Sequence, residues 1–500
     1  MARVDTPSPS GTPPSALPCQ EGEDDMCEDQ TTAPVQYIFA ARDPVHGGAS
    51  DLEPWVTDGT AEGTHLLLDI VPGTGGSSPS GFTALGDGRA VFTTRDGTDW
   101  ITDGTAEGTT PLPATLPALT GGSVAALGDG RFLLALDDGM HGTEPVITDF
   151  TAAGTRLLAD LNPGPDGSAP ALFTALGDGR FVFSASDRSP ASAPPAGGEG
   201  EGVGRELWIS DGTAGGTHLL ADINPGAASS DPGGITLLGD GRFLFTADDG
   251  THGEEPWISD GTACGTHLLA DIQAGAGRST FGSGFTALGD GRFIVTADDG
   301  IHGLEPWITD GTACGTHLLA DINPGLLDGV RILTSYLVLE DGRVLMTGDD
   351  GIHGLEPWIT DGTAEGTRLL ADIQAGGADG ASVFASAFYT ALGDGRALFA
   401  ASDGLHGREP WVTDGTTGGT QLVMDIHPGE VGSDTLIVGP LAEGRVLLRA
   451  DDGEHGIELW STDGTAEGTA LVKDIWPGSF SSMALFFTRL TPMDTDAWGA

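Results

Sequence analysis

The stretch Glu305-Pro306-Trp307-Ile308-Thr309-Asp310-Gly311-Thr312-Ala313-Cys314-Gly315-Thr316 is one copy of a unit that returns along almost the whole chain. Its Trp-x-x-Asp-Gly-Thr core stands also at Trp55, Trp100, Trp208, Trp257, Trp358, Trp411 and Trp460, and a worn ninth copy runs from Val146 to Thr151. The nine motif aspartates, from Asp58 to Asp463, are 45, 46, 62, 49, 50, 51, 53 and 49 residues apart. A period of this length restricts the fold more than any other feature. One such unit cannot bury its apolar faces alone and must stack on its neighbours.

Each repeat offers four short apolar runs. In the fifth they are Arg242–Ala247, Glu255–Ser259, Thr266–Ile272 and Gly284–Leu288. They are rich in Phe, Ile, Leu, Val, Thr and Trp and bounded by Gly, Asp or Pro, which predicts strands joined by turns. None has the length or periodicity of a helix. Asp-Gly pairs such as Asp290-Gly291 mark tight hairpins between runs. Four strands per repeat predict an all-β propeller. Nine units exceed the ~4–8 blades usual for that fold. Nine blades, eight plus an irregular unit, and an open spiral of blades all stay open here. Ala484–Thr488 supplies a last strand-like run.

The repeat domain is expected over 35–490. Residues 1–34, rich in Pro, Ser, Thr, Gly and acid, lack the apolar residues to offset ordering entropy and read as a disordered leader. Residues 491–500 read as a tail. The long step of 62 residues holds an insert, 187–204, expected as a surface loop. Repeats two and three are the most degenerate. The second lacks the His-Gly and Glu-Pro, and the third lacks its Trp and a Gly.

Charge excludes several functions. With 73 acidic against 21 basic residues the net charge is −52. Such a surface repels nucleic acid and anionic lipid. No run reaches the ~18–20 apolar residues of a membrane span. No signal-peptide core precedes the repeats, so an export route is not visible here and the start site stays open. Cys264 and Cys314 occupy one slot of neighbouring repeats, too far apart to pair, and are expected free. Cys19 and Cys27 in the leader can close a small loop in an oxidising compartment.

Three groups of residues carry whatever chemistry the repeats hold, each with two readings. The Trp at 55, 208, 257, 307, 358, 411 and 460 either packs between blades or, if exposed, forms a sugar-stacking platform. Asp260, Asp310, Asp361, Asp414 and Asp463 either cap their own turns or contribute to calcium sites. The turn Asp-Asp-Gly-x-His-Gly-x-Glu brings His252, His302, His353, His406 and His455 near Glu255, Glu305, Glu356, Glu409 and Glu458. A ring of these groups suits a ligand or metal, while the alternative is bonding within each blade. No nucleophile elbow, His-Glu-x-x-His, phosphate loop or paired Cys motif occurs.

The motif stands verbatim at Glu206-Leu207-Trp208-Ile209-Ser210-Asp211-Gly212-Thr213 and at Glu458–Thr465. Over about 35–490 the chain resembles the bacterial ELWxxDGT-repeat proteins, with Pro replacing Leu in most copies. The resemblance implies a propeller-like β protein of surface or exported type, with no common enzymatic activity and no catalytic residues to carry over. The expected function is a monomeric, non-catalytic binding or scaffold module for protein or polysaccharide, extracellular or at the cell surface. A polysaccharide lyase or hydrolase using the His and acid residues is the second expectation, and a calcium-stabilised adhesin the third. An asymmetric cluster of His and acid residues on the central propeller face, with one pocket unlike the rest, would favour the enzyme, and equivalent repeats around the ring would weaken it.

Overall fold

The chain forms nine antiparallel sheets among the described residues, each completed by strands that the sequence repeat does not itself group together. The structure is a computed structural model that describes residues 35–42, 52–73, 75–116, 118–119, 123–187, 202–282, 284–332, 334–381, 389–482 and 485–490. The leader, the tail, most of the insert, Cys19, Cys27 and His46 lie outside them. All described residues fall in one unit, Pro34–Ala500.

Blades are numbered here by their motif aspartate, from Asp58 in blade 1 to Asp463 in blade 9. Blade 6 shows the pattern: Thr286–Ala287, Phe293–Asp298, Leu304–Thr309 and His317–Leu318 pair in that order. The Asp-Gly hairpin after residue 287 lets the short first strand fold back, and Phe293 to Asp298 then pairs with Thr309 to Leu304 in unbroken register. The third run of each repeat, which becomes the last strand of its blade, is shorter than its sequence suggests. In blade 5 only His267–Leu268 is strand, because from Ile272 the backbone donates to the Glu255 side chain instead of a neighbouring strand.

Blade and repeat are therefore out of phase by one strand. The last run of each repeat opens the next blade, so blade 1 lacks a first strand until Leu485–Arg489 arrives from the other end of the domain. That segment pairs with Tyr37–Arg42, and Phe487 stacks on Phe39 at 5.1 Å between centroids. The ring closes with nine blades, and neither the open spiral nor the eight-blade alternative holds. Blade 3 is the irregular one: its first strand is split into Ala118–Leu119 and Ala125–Ala126.

First strands of adjacent blades approach one another. Thr236 Oγ1 bonds both the carbonyl and the amide of Phe285 in the next blade, and Thr488 Oγ1 donates to the Phe82 carbonyl. The first strand is thus the inner one. Strand alternation then sends side chains to opposite neighbours. Trp257 joins Phe243 and Phe245 against Leu207 and Ile209 of blade 4, while Ile258 meets Phe293 and Val295 of blade 6. The core is accordingly nine layers between sheets.

Polar links reinforce each step round the ring. Arg292 donates to the Gly362 carbonyl, Arg343 to Gly415 and Arg396 to Asp463, in each case from the hairpin of one blade to the motif turn of the next. At the closing interface the only lysine of the chain, Lys473, donates to the carbonyls of Ala61 and Thr64.

Candidate functional site

The motif turn is built from its own side chains. Asp310 Oδ1 accepts from the amide and hydroxyl of Thr312, Thr312 Oγ1 accepts from the Gly315 amide, and Thr309 and Thr316 share a hydroxyl bond of 2.7 Å. The same bonds recur at Asp260, Asp361, Asp414 and Asp463. The Thr hydroxyl bond holds each of these carboxyls below the usual range. The carboxylate also explains the second Gly of the motif. A Cβ at Gly216 would strike Asp211 Oδ1, whereas one at Gly215 meets nothing within 4 Å. Gly216→Ala should therefore cost about 1–3 kcal/mol by overpacking. Gly215→Ala should be neutral, since that slot already accepts Cys264 and Cys314, which are exposed and free. Thermal melts of the two variants test this directly.

The repeated Glu lies at the opposite end of its strand and is buried. Glu255, 0 % exposed, accepts from the amides of Ile272 and Gln273 at 2.9 and 3.2 Å and from the Ser279 hydroxyl at 2.5 Å. Amides 17 and 18 residues onward also reach Glu305, Glu356 and Glu409, and in Glu458 the first of them does. The carboxylate thus ties the outgoing loop to the blade it leaves. In blade 2 this position is Thr98, and Asp99 takes over by accepting from the amide of Leu119.

The His residues are held within their own turns. Asp249 accepts from the amides of Thr251 and His252 through Oδ1 and contacts the His252 ring nitrogen Nδ1 at 2.7 Å through Oδ2. His302, His353, His406 and His455 repeat this with Asp299, Asp350, Asp403 and Asp452. The structure brings His252, His302, His353 and His406 near the Glu and a second acid of the same blade, as with Glu255 and Asp271 around His252, whereas His455 has Asp474 and Glu454. Among the described residues no group of three or more His, Cys, Asp or Glu is placed to hold a metal ion. Chemically each unit is an imidazole oriented by a carboxylate, with the same geometry from blade to blade.

The buried Glu and the turn His set a pH dependence of one sign, and the motif aspartates oppose it at lower pH. Burial pushes Glu206, Glu255, Glu305, Glu356 and Glu458 up to about 7, against the pull of their hydrogen-bond donors. Such a Glu takes up its proton first in the folded state, so stability rises as pH falls from about 7 toward its ordinary value near 4.5. The Asp hydrogen bond raises each turn His above its ordinary value. That contribution is present below about 6.5 and is lost as pH rises through the raised value. The lowered motif aspartates act oppositely, stabilising above about 3.8 and losing this as pH falls further. The melting temperature should therefore peak near pH ~5–6 and fall toward pH ~8. A calorimetric pH series that rose steadily to pH ~8 would contradict this.

The Trp ring is buried, 5 to 9 % exposed at Trp55, Trp208, Trp257, Trp358 and Trp460, with each indole against the preceding blade. Trp307 and Trp411 pack likewise, slightly more open. No indole platform faces solvent at those five positions.

One interface departs from the rest. Between blades 2 and 3 the Trp slot holds Val146. A cavity of about 210 Å³ remains there, lined by Leu116, Leu136, Val146, Leu157 and exposed polar residues. A second cavity of about 180 Å³ lies in the same interface, between Val91, Thr93, Leu119, Val124 and Leu134. Phe150 stands at the motif Gly with φ +64°, a strained conformation for an aromatic residue, and packs on Phe132 at 5.5 Å. Repeats two and three are the most degenerate in sequence, and the cavity lies where their blades meet.

No protein-family model and no curated protein matches the chain. Among solved structures it is similar to a puromycin hydrolase, at 17 % identity and TM-score 0.38, over 74 % of this chain and 58 % of that one. It thus spans less than two thirds of that enzyme. Prolyl oligopeptidase B from Galerina marginata is similar at 11 % identity and TM-score 0.37, over 70 % of this chain and 50 % of that one. The computationally designed Ika8 protein is similar at 19 % identity and TM-score 0.37, over 76 % of this chain and 96 % of that one. The propeller assignment rests on the nine sheets themselves. No helix among the described residues is long and apolar enough to cross a membrane.

Proposed function

We propose that the chain is a non-catalytic binding ring whose His-bearing face receives a protein partner. The observation that carries this is an arc of exposed apolar side chains on that face. The residue before each turn His is apolar and open at Ile301 (64 %), Ile352 (68 %) and Leu405 (67 %). Leu327, Val431 and Phe480, also exposed, sit on loops that abut the His turns of blades 6, 8 and 9 at Gly303, Gly407 and Gly456. Blades 6 to 9 thus present a run of apolar tips set among carboxylates. Exposed patches of this kind mark protein interaction sites, and the acidic surround favours a partner with basic residues beside its apolar ones. Buried indoles weigh against the sugar-stacking form of a polysaccharide binder. The equivalence of the His and Glu units weighs against a lyase or hydrolase, which needs one site set apart. The ELWxxDGT resemblance supports a place outside the cell.

A displayed peptide library selected on the full chain tests the reading. Selected peptides should pair apolar with basic residues and lose affinity for an Ile301→Ser, Ile352→Ser, Leu405→Ser triple variant that melts like the parent. Peptide binding unchanged in that variant, or release of new reducing ends from a polysaccharide panel, would contradict it.

A further inference from the structure

We propose that the interface between blades 2 and 3 is a binding slot for a small planar aromatic molecule of the indole class. The ring supplies its own template for the ligand. In the eight other blades the third strand carries a Trp whose indole lies against the preceding blade. In blade 3 that position is Val146, paired with Leu157 and Leu134 as each Trp is paired with its own neighbours. The space left is the indole slot of the fold with its indole missing.

Leu136 refills part of it, standing where blades 4, 5 and 6 have Ala185, Ala247 and Ala297. About 210 Å³ stays open, between Leu116 of blade 2 and Leu136, Val146 and Leu157 of blade 3. An engineered apolar cavity of ~150 Å³ already admits benzene. The apolar walls are buried or half-buried, while Thr115, Asp138 and Arg156 at the rim are exposed, which leaves an entrance. The template is one of shape and carries no fixed acceptor: the Trp208 indole N–H donates to the Ala185 carbonyl at 3.1 Å, whereas those of Trp55, Trp100, Trp257, Trp307, Trp358, Trp411 and Trp460 are buried without a partner. Apolar walls behind a polar rim are the form of a small-molecule site. A flat aromatic ring of indole size fits that slot.

Titration of free indole into the full chain, by calorimetry and by thermal shift, tests the proposal. The wild-type protein should bind one equivalent saturably and melt at a higher temperature with indole than without. Val146→Trp and Val146→Phe should lose both effects, and Val146→Trp should itself melt higher than wild type. Nuclear Overhauser contacts from indole protons to the methyl groups of Val146 and Leu116 place the ligand in the wild-type chain if neither variant folds. Absence of saturable binding up to the solubility of indole overturns the proposal. So does equal binding by wild type and a folded Val146→Phe protein, or contacts to methyl groups elsewhere.

Discussion

A chain stopped after Ser482 is expected to lose its cooperative melt and to elute larger than the full chain. The removed segment, Leu485–Arg489 with Leu490, is the inner strand of blade 1. Without it the edge of Tyr37–Arg42 exposes its amides and carbonyls at the narrowest part of the ring, and the stack of Phe487 on Phe39 disappears. Leu490, 3 % exposed, also leaves the layer of Ile38, Val56 and Phe92 between blades 1 and 2. Burying one large aliphatic side chain contributes about 1.5–3 kcal/mol, and the lost strand pairing adds to that. An unpaired, apolar inner edge is a template for other chains, so the truncated protein should elute as oligomers or aggregates. Addition of a peptide covering residues 478–494 should restore the elution of the full chain by supplying the missing strand in trans. A truncated chain that eluted and melted like the full one would mean that closure contributes nothing.

Replacing Glu255 by leucine should destabilise by about 3–5 kcal/mol, from the amides of Ile272 and Gln273 and the hydroxyl of Ser279 left without their acceptor at about 1–3 kcal/mol each. The conservative Glu255→Gln should also lose stability, since its amide N–H groups meet donors where the carboxylate offered acceptors. Two readouts separate this role from simple packing. Glu255→Leu should flatten the rise in melting temperature from pH ~8 to ~5.5, because one of the raised carboxyls is gone. Amide exchange should quicken in the loop 272–279 before it does in Phe243–Asp248. A variant as stable as wild type, with unchanged pH dependence, would remove the clamp from the account.

The repeat made most of this fold legible. Trp, Asp-Gly-Thr and the Asp-Gly hairpins each have a local physical meaning, and the strands they bound lie within a residue or two of expectation, as Glu254–Ser259 does. Blade number was not legible, because closure depends on Leu485–Arg489 meeting Tyr37–Arg42 across more than four hundred residues, and no local pattern encodes that. The fourth strand was overestimated since the run Thr266–Ile272 is apolar throughout. Its exit toward Glu255 is decided by a side chain seventeen residues away. The same distance hid the role of Glu. Spacing alone placed it near the turn His but did not say that it faces inward to loop amides. The cavity between blades 2 and 3 could have been suspected from Val146 in a Trp slot, yet Leu136 and Phe150 compensate in part, and only the packed interface shows how much space is left.

Hydrogen exchange on the unmodified full chain, followed by mass spectrometry, tests the closed ring most directly. Peptides from Tyr37–Arg42 and from Leu485–Arg489 should exchange together and as slowly as the matching strands Phe243–Asp248 and Phe293–Asp298, since in a ring no blade is terminal. Fast exchange of both terminal segments, with protection kept in blades 4 to 7, would show an open array of blades and contradict the account.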